Sequence, residues 1–373
     1  MNRQLGIGIF AHSWISDWNH GNAHFLRGLA RELIRMGHRV GCYEESGGWS
    51  LTNLMREGAI ASTSIERFRA AYPELDVRTY GRDGELAQFL DRELAGSDLI
   101  LLHEWNEPKL IVEVLWRRAR LGFRTLFLDT HHRACSAPKQ IQRLPLNCFD
   151  GVLAFGEAIS KIYREQFGVK NVWTFHEAAD PSVFHPMELP AENDLVWIGN
   201  WGDEERTAEL MEFLIEPARE LVACGRRVRV FGVRYPEAAR EMLRAAGIEY
   251  CGYLPNLAVP EVYGRSRVAL HVPRRQYAGE LSGIPTIRVF EALACGIPLL
   301  CSPWADVEGL FREGEDYLVA RDGREMKVKL CKLLENEALR RQLAASGLER
   351  IGQHHTCRDR AVRLMEIYGE LTR

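Results

Sequence analysis

Residues 5–43 read LGIGIFAHSWISDWNHGNAHFLRGLARELIRMGHRVGCY, and the order of apolar and polar positions along them decides the fold. Residues 5–10 are an apolar run without alternation, which suits a strand buried on both faces. A polar, aromatic loop occupies residues 12–21. Phe25, Leu26, Leu29, Ala30, Leu33 and Ile34 then recur at helical spacing until Gly37 stops the helix. Residues 39–43 open a second strand. Strand, loop, helix, strand is the building unit of a parallel sheet.

The alternation continues outward. Apolar runs at residues 98–103, 124–129 and 151–155 predict strands, with helices at 111–120 and from 156 through Phe167. Residues 185–193 carry two prolines and no periodicity, as a linker does. The pattern then restarts. Strands are predicted at 195–199, 228–231, 250–253, 268–272 and 298–301. Helices are predicted at 207–223, 236–246, 260–265, 285–295 and 337–351, the last stopped by Gly352, with a closing helix at 358–371. The expected fold is α/β: two Rossmann-like, doubly wound parallel-sheet domains. Their expected bounds are 1–185, completed by 355–373, and 194–354. Ligands of such sheets bind outside the carboxyl ends of the strands, so a cleft between the two domains is the expected site.

A chain of 373 residues is long enough for two cores, and 46% apolar with 27% charged residues is a globular composition. The formal net charge of −3 supplies no basic field for nucleic acid, which is not an expected partner. Nine cysteines include no C-x-x-C pair, so the expectation is reduced thiols in a cytoplasmic protein and no zinc. No apolar stretch approaches the ~20 residues that span a bilayer. Residues 116–124 are basic and partly aromatic, and have two readings: peripheral membrane contact, or the solvated face of a helix.

Several residues fall where chemistry is expected. Gly21 lies in the first strand-to-helix loop, where a glycine lets backbone approach a phosphate at the helix start. His103 and His131 end or follow neighbouring strands on the ligand edge and are candidates for proton transfer; Glu104, Glu107 and Asp129 are alternatives there. Gly199 and Asn200 begin an open loop, running on to Asp203, that can admit a diphosphate. Arg206 follows as a phosphate partner or a solvated helix-start arginine. Glu291 lies among apolar helix positions. Its carboxylate needs a partner: a ribose diol, or Arg288 three residues earlier.

The run Phe290-Glu291-Ala292-Leu293-Ala294-Cys295-Gly296-Ile297-Pro298 resembles the donor signature of GT-B glycosyltransferases, namely glycosyltransferase family 4 and the CgeB-type group. Gly37-His38-Arg39-Val40, Asp180-Pro181-Ser182-Val183-Phe184-His185-Pro186 and Gly252-Tyr253-Leu254-Pro255 follow that family's order. The resemblance implies sugar transfer from a nucleotide-sugar donor to an unidentified acceptor, with no metal and no resident cofactor. It implies that Glu291 binds the ribose, that the turn at Tyr253 and Leu254 holds the base, and that Arg206 and Arg288 face the diphosphate. It places His131 near sugar and acceptor, and carries the closing helix back to the first domain.

Two departures stand out. Family 4 carries E-x7-E ending at the helix glutamate, and this chain has Gly283 at the position of the first glutamate; Glu280 stands three residues earlier and substitutes only through a rearranged loop. The family's lysine after the first strand of the second domain is absent, with Arg206 as the nearest substitute. Two further activities suit the same fold. A sugar-nucleotide epimerase turns over without an acceptor, and a silent binding protein holds the nucleotide without consuming it.

Overall fold

The computed structural model describes residues 3–81, 84–202 and 206–373. They fall into two compact units, Met1–Asp180 with Cys357–Arg373, and Pro181–Thr356.

The first unit holds a seven-stranded parallel sheet. Its strands are β1 (Gly6–Phe10), β2 (Arg39–Glu45), β3 (Val77–Tyr80), β4 (Leu99–His103), β5 (Arg124–Asp129), β6 (Gly151–Ala154) and β7 (Val172–Thr174), in the order β3-β2-β1-β4-β5-β6-β7. The unbroken apolar runs are the central strands: every residue of β1 and β4 is buried. Helices cover both faces in such a sheet, which is why no polar alternation survives in these strands. β3 escapes the sequence reading because it is a four-residue edge strand with exposed Arg78 and Thr79. The helices Trp49–Met55, Ala59–Ala71 and Leu86–Glu93 were likewise not predicted.

The closing helix Cys357–Leu371 packs in this first unit. A Cβ on Gly28 would lie 2.6 Å from the Cys357 sulfur and 2.8 Å from the Asp180 Cβ. The missing side chain therefore lets the helix Ala23–Arg35 approach the start of the closing helix. The Cys357 amide donates to the Ala179 carbonyl at 2.8 Å, and Arg31 pairs with Asp180 at 3.2 Å.

The second unit repeats the plan with β8 (Asn193–Ile198), β9 (Val228–Phe231), β10 (Glu249–Tyr250), β11 (Ser266–His271), β12 (Leu299–Cys301) and β13 (Leu318–Val319), in the order β10-β9-β8-β11-β12-β13. Its core joins Leu195, Trp197, Val230, Val268 and Leu270 of the sheet to Leu214 and Ala218 of the flanking helices. The predicted strand at 250–253 stops at Tyr250, since Gly252 takes φ +74° and turns the chain. The predicted stop at Gly352 does not occur. The helix Glu337–His354 runs through that glycine at an exposed position, where the cost is only ~1 kcal/mol. The strand β13 and the helix Gly323–Glu335 were not predicted.

Candidate donor site and a histidine-lined sheet edge

In the second sheet the chain leaves β8 and β11 toward opposite edges, so their carboxyl ends form a switch point where α/β sheets take ligands. Arg206 joins the two loops there. Its Nη1 donates to the Asn200 carbonyl at 2.9 Å after β8, its Nη2 to the Val272 carbonyl after β11, and its guanidinium lies 5.3 Å from the Trp197 ring. The side chain is buried, so the reading of a solvated helix-start arginine is overturned. Further bonds fix the β8 loop. Tyr235 donates its hydroxyl to the Gly199 carbonyl at 2.7 Å, and the Asn200 side-chain oxygen accepts from the Val233 amide at 2.8 Å. Gly202, at φ +79°, passes the Arg274 guanidinium: a Cβ there would lie 3.1 Å from Arg274 Nη1. Asp203 of the expected loop lies outside the described residues.

The end of β11 is tied to the helix Ile287–Ala294 by His271, whose Nε2 is 2.9 Å from the Thr286 hydroxyl. Burial first, then the charges of Arg206 and Arg288, push the His271 pKa down to about 3. The imidazole is therefore held neutral, mainly by burial, with the two arginine charges acting in the same direction. The helix itself has no acidic residue in its first turn, so its N-terminal end adds to the field of these arginines.

Glu291 is fully buried on that helix. It is ion-paired with Arg288 and accepts from the Asn256 amide at 3.0 Å. Asn256 directly follows the turn carrying the half-buried Tyr253 and Leu254, so the carboxylate ties that turn to the helix. Arg288 is therefore engaged with Glu291, as the alternative reading of this pair had it. The structure brings Gly199, Asn200, Arg206, Tyr253, Leu254, Arg288 and Glu291 onto one unit, around the carboxyl ends of one sheet.

Glu280 is exposed, on the turn before Gly283. Gly283 itself has φ +93°, and a Cβ there would lie 2.4 Å from Val307 Cγ2 and 3.3 Å from Glu308 Cγ. A glutamate at 283 has no room, and the space beside that position is filled by the Val307 and Glu308 side chains.

The first sheet has its own switch point, between β1 and β4. His103 ends β4, buried, with Nε2 2.9 Å from the Thr130 hydroxyl. His131, half-buried, follows β5 and stacks at 4.0 Å from the His132 ring. Gly21 is half-buried in the loop after β1, followed by Asn22, whose side chain donates to the Thr130 hydroxyl at 2.8 Å. Two residues that sequence reasoning passed over join them: the rings of His12 and His20 lie 4.0 Å apart, and 5.7 and 6.0 Å from His103. Behind them Glu104 and Asp129 form a buried acidic pair whose pKa values are raised by burial; the Asp129 charge raises Glu104 further, while a hydrogen bond with Glu104 partly offsets the rise of Asp129. Arg133 ion-pairs with Glu104 at 2.8 Å, and Tyr163 donates to Asp129 at 2.7 Å.

Asn256, His271, Arg274, His12 and His20 were missed for one reason. Each matters through its place beside a strand end, and sheet order is not written in sequence spacing. The available signal was position: His12 and His271, like His103, sit at the carboxyl end of an apolar run.

Two such units, with the closing helix packed in the first, define the GT-B fold of glycosyltransferases. Residues 206–366 match the glycosyl transferase-like family model. By fold the chain is of the GT-B class, and its second unit matches a glycosyl transferase-like family. The chain is similar to Anabaena HepE solved with UDP and glucose, at 11% identity and a TM-score of 0.72, covering 98% of this chain and 100% of that one. It is similar to sucrose-phosphate synthase from Thermosynechococcus elongatus at 14% identity and a TM-score of 0.66, covering 99% of each. It is also similar to an alpha-glucosyltransferase solved with UDP and a 13-mer DNA, at 12% identity and a TM-score of 0.70, covering 100% of each. No curated protein sequence matches the chain.

Proposed function

We propose that the second unit binds a UDP-sugar at the β8–β11 switch point and that the chain transfers the sugar to an acceptor held by the first unit. The observation that carries this is the Arg206 bridge. A buried guanidinium holds the two loops open at fixed spacing, with Arg274 beside them and a helix start facing the same edge. The diphosphate lies against these cations and backbone amides. The uracil rests on the turn at Tyr253 and Leu254, and the ribose hydroxyls reach Glu291, which Arg288 and Asn256 keep oriented. UDP is the nucleotide in the solved HepE and alpha-glucosyltransferase complexes, and it is the first donor to try.

In the reaction the sugar–phosphate bond breaks and negative charge grows on the departing diphosphate. Arg206, Arg274 and the helix start are already positioned for that charge, so we assign no resident metal or cofactor to the step. His131 and His103 are the side chains of the first unit assigned to the sugar and the acceptor hydroxyl.

We read the enzyme as cytoplasmic, on the ground that none of its nine cysteines is in a disulfide. Among the described residues no helix is long and apolar enough to cross a membrane. In the basic segment at 116–124, Arg117 and Arg120 pair with Asp91, and Arg118 and Arg124 pair with Asp150.

The test is a panel of UDP-, GDP-, ADP- and dTDP-sugars followed by thermal shift and by nucleotide release. The proposal expects UDP-sugars to raise the melting midpoint and to be hydrolysed slowly without acceptor. Binding without any release of UDP under all acceptors would instead identify a silent binding protein.

A further inference from the structure

The crevice between β1 and β4 carries a constellation that the nucleotide site of the second unit does not use. Asn106 spans it. Its side-chain amide donates to the Phe10 carbonyl of β1 at 2.7 Å and to the His103 carbonyl of β4 at 2.8 Å. That leaves Asn106 Oδ1 buried and without a hydrogen-bond partner, and the Nδ1 atoms of His12 and His103 are in the same condition. Burial holds the His12, His20 and His103 rings neutral. Neutral imidazoles and a carboxamide present donors and acceptors without charge. Among the described residues no group of histidine, cysteine, aspartate and glutamate side chains is arranged to hold a metal ion.

At the rim stands Trp105, 42% exposed although it is one of the largest apolar side chains. Its indole is held in place rather than loose. The Arg133 guanidinium lies 3.8 Å from the ring centroid, and the His131 and His12 rings meet it edge-on at 5.0 and 6.4 Å. The two cations whose charge reaches these histidines, Arg27 and Arg133, are ion-paired with Asp17 at 3.3 Å and Glu104 at 2.8 Å. Both of these arginines are thus already tied to carboxyl groups, so neither is left open to a phosphate. A ligand rich in hydroxyls with an apolar ring face meets both halves of the site, since an aromatic ring takes the C–H face and buried polar atoms take the hydroxyls.

We propose that this crevice binds the acceptor, and that the acceptor is an uncharged saccharide whose pyranose ring stacks on Trp105. The inference rests on the transferase reading and adds the substrate class and a specificity-determining residue to it.

The experiment measures UDP release from UDP-glucose by the full chain, with methyl α- and β-glucosides, maltotriose, chitotriose and glucose 6-phosphate as acceptor probes. UDP-glucose affinity is measured separately on the same samples. Wild type, Trp105→Ala and Trp105→Phe are compared; Trp105 is at the surface, so both variants fold. The expected result is that a neutral saccharide accelerates release. Trp105→Ala then raises its KM about tenfold, the equivalent of 1.4 kcal/mol of stacking, while kcat and donor affinity stay near wild type. Trp105→Phe recovers most of the loss. The proposal is overturned if UDP-glucose binds but no neutral saccharide accelerates release. It is also overturned if only the phosphorylated sugar does, or if Trp105→Ala leaves the acceptor KM unchanged. Absence of donor binding in wild type is a different outcome: it removes the transferase reading, and this inference with it.

Discussion

At the scale of single residues the account turns on groups whose charge is fixed by their surroundings. Glu291 is fully buried, and its Arg288 and Asn256 partners keep its two oxygens oriented. Glu291→Gln removes the charge at nearly constant shape. It is expected to weaken UDP binding about tenfold or more, and to leave the partnered Arg288 uncompensated at a cost of ~1–3 kcal/mol in stability; calorimetry and thermal melts check the two effects. The histidines of the first sheet edge make a pH prediction. Burial, then the Arg133 charge, push the His12 pKa from 6.5 down to about 4, and His20 and His103 are lowered in the same sense. A lowered histidine pKa means that the unfolded chain binds the proton first. The stability it confers is complete above about pH 6.5 and is lost as pH falls toward 4. The raised pKa values of Glu104 and Asp129 act in the opposite direction, so the clean observable is a difference. His12→Gln should flatten the melting-temperature profile between pH 6.5 and 4 by the equivalent of ~1–3 kcal/mol. An unchanged profile would show that His12 titrates normally.

At the scale of elements, glycines decide which segments approach one another. The approach of the helix Ala23–Arg35 to the closing helix depends on the bare Cα of Gly28, 2.6 Å from the Cys357 sulfur as measured from a built Cβ. Gly28→Leu should push the closing helix off and lower stability by ~1–3 kcal/mol, read as a denaturant midpoint shift. Gly283 makes the converse case. Gly283→Glu restores the carboxylate that related enzymes carry, yet it demands φ +93° of a branched-off side chain and collides with Val307. It should lower the melting temperature and the rate of UDP release together; a faster enzyme of unchanged stability would contradict the geometry described for this loop.

The elements also show how much of the fold was legible. The central strands β1, β4, β5 and β8 are buried apolar runs, and such runs declare themselves in sequence. The edge strands β3 and β13 do not, because β3 is short and half polar and β13 is only two residues long. The helix Glu337–His354 passed through Gly352 because tertiary packing outweighs one exposed glycine. Glu291 and Arg206 were legible as candidates. What was not legible is that Arg206 reaches Val272, 66 residues further along the chain, or that His12, His20 and His103 meet at one switch point.

At the scale of the whole molecule, the two units divide the chemistry between cationic and neutral surroundings. The second unit gathers Arg206 and Arg288 near its switch point, where their charges add to burial in holding His271 neutral. The first unit offers paired cations, neutral imidazoles and an exposed indole. A charged leaving nucleotide and an uncharged acceptor fit that division, and the overall net charge of −3 gives no reason to expect a polyanionic acceptor. The most direct test of the central claim is a calorimetric titration of UDP into wild type, Arg274→Ala and Glu291→Gln, with Trp105→Ala as the control from the other unit. The account predicts saturable binding to wild type and to Trp105→Ala with equal affinity, and a loss of about tenfold or more in each of the other two variants. Equal affinity in all four proteins would place the nucleotide elsewhere and contradict the donor site at the β8–β11 switch point.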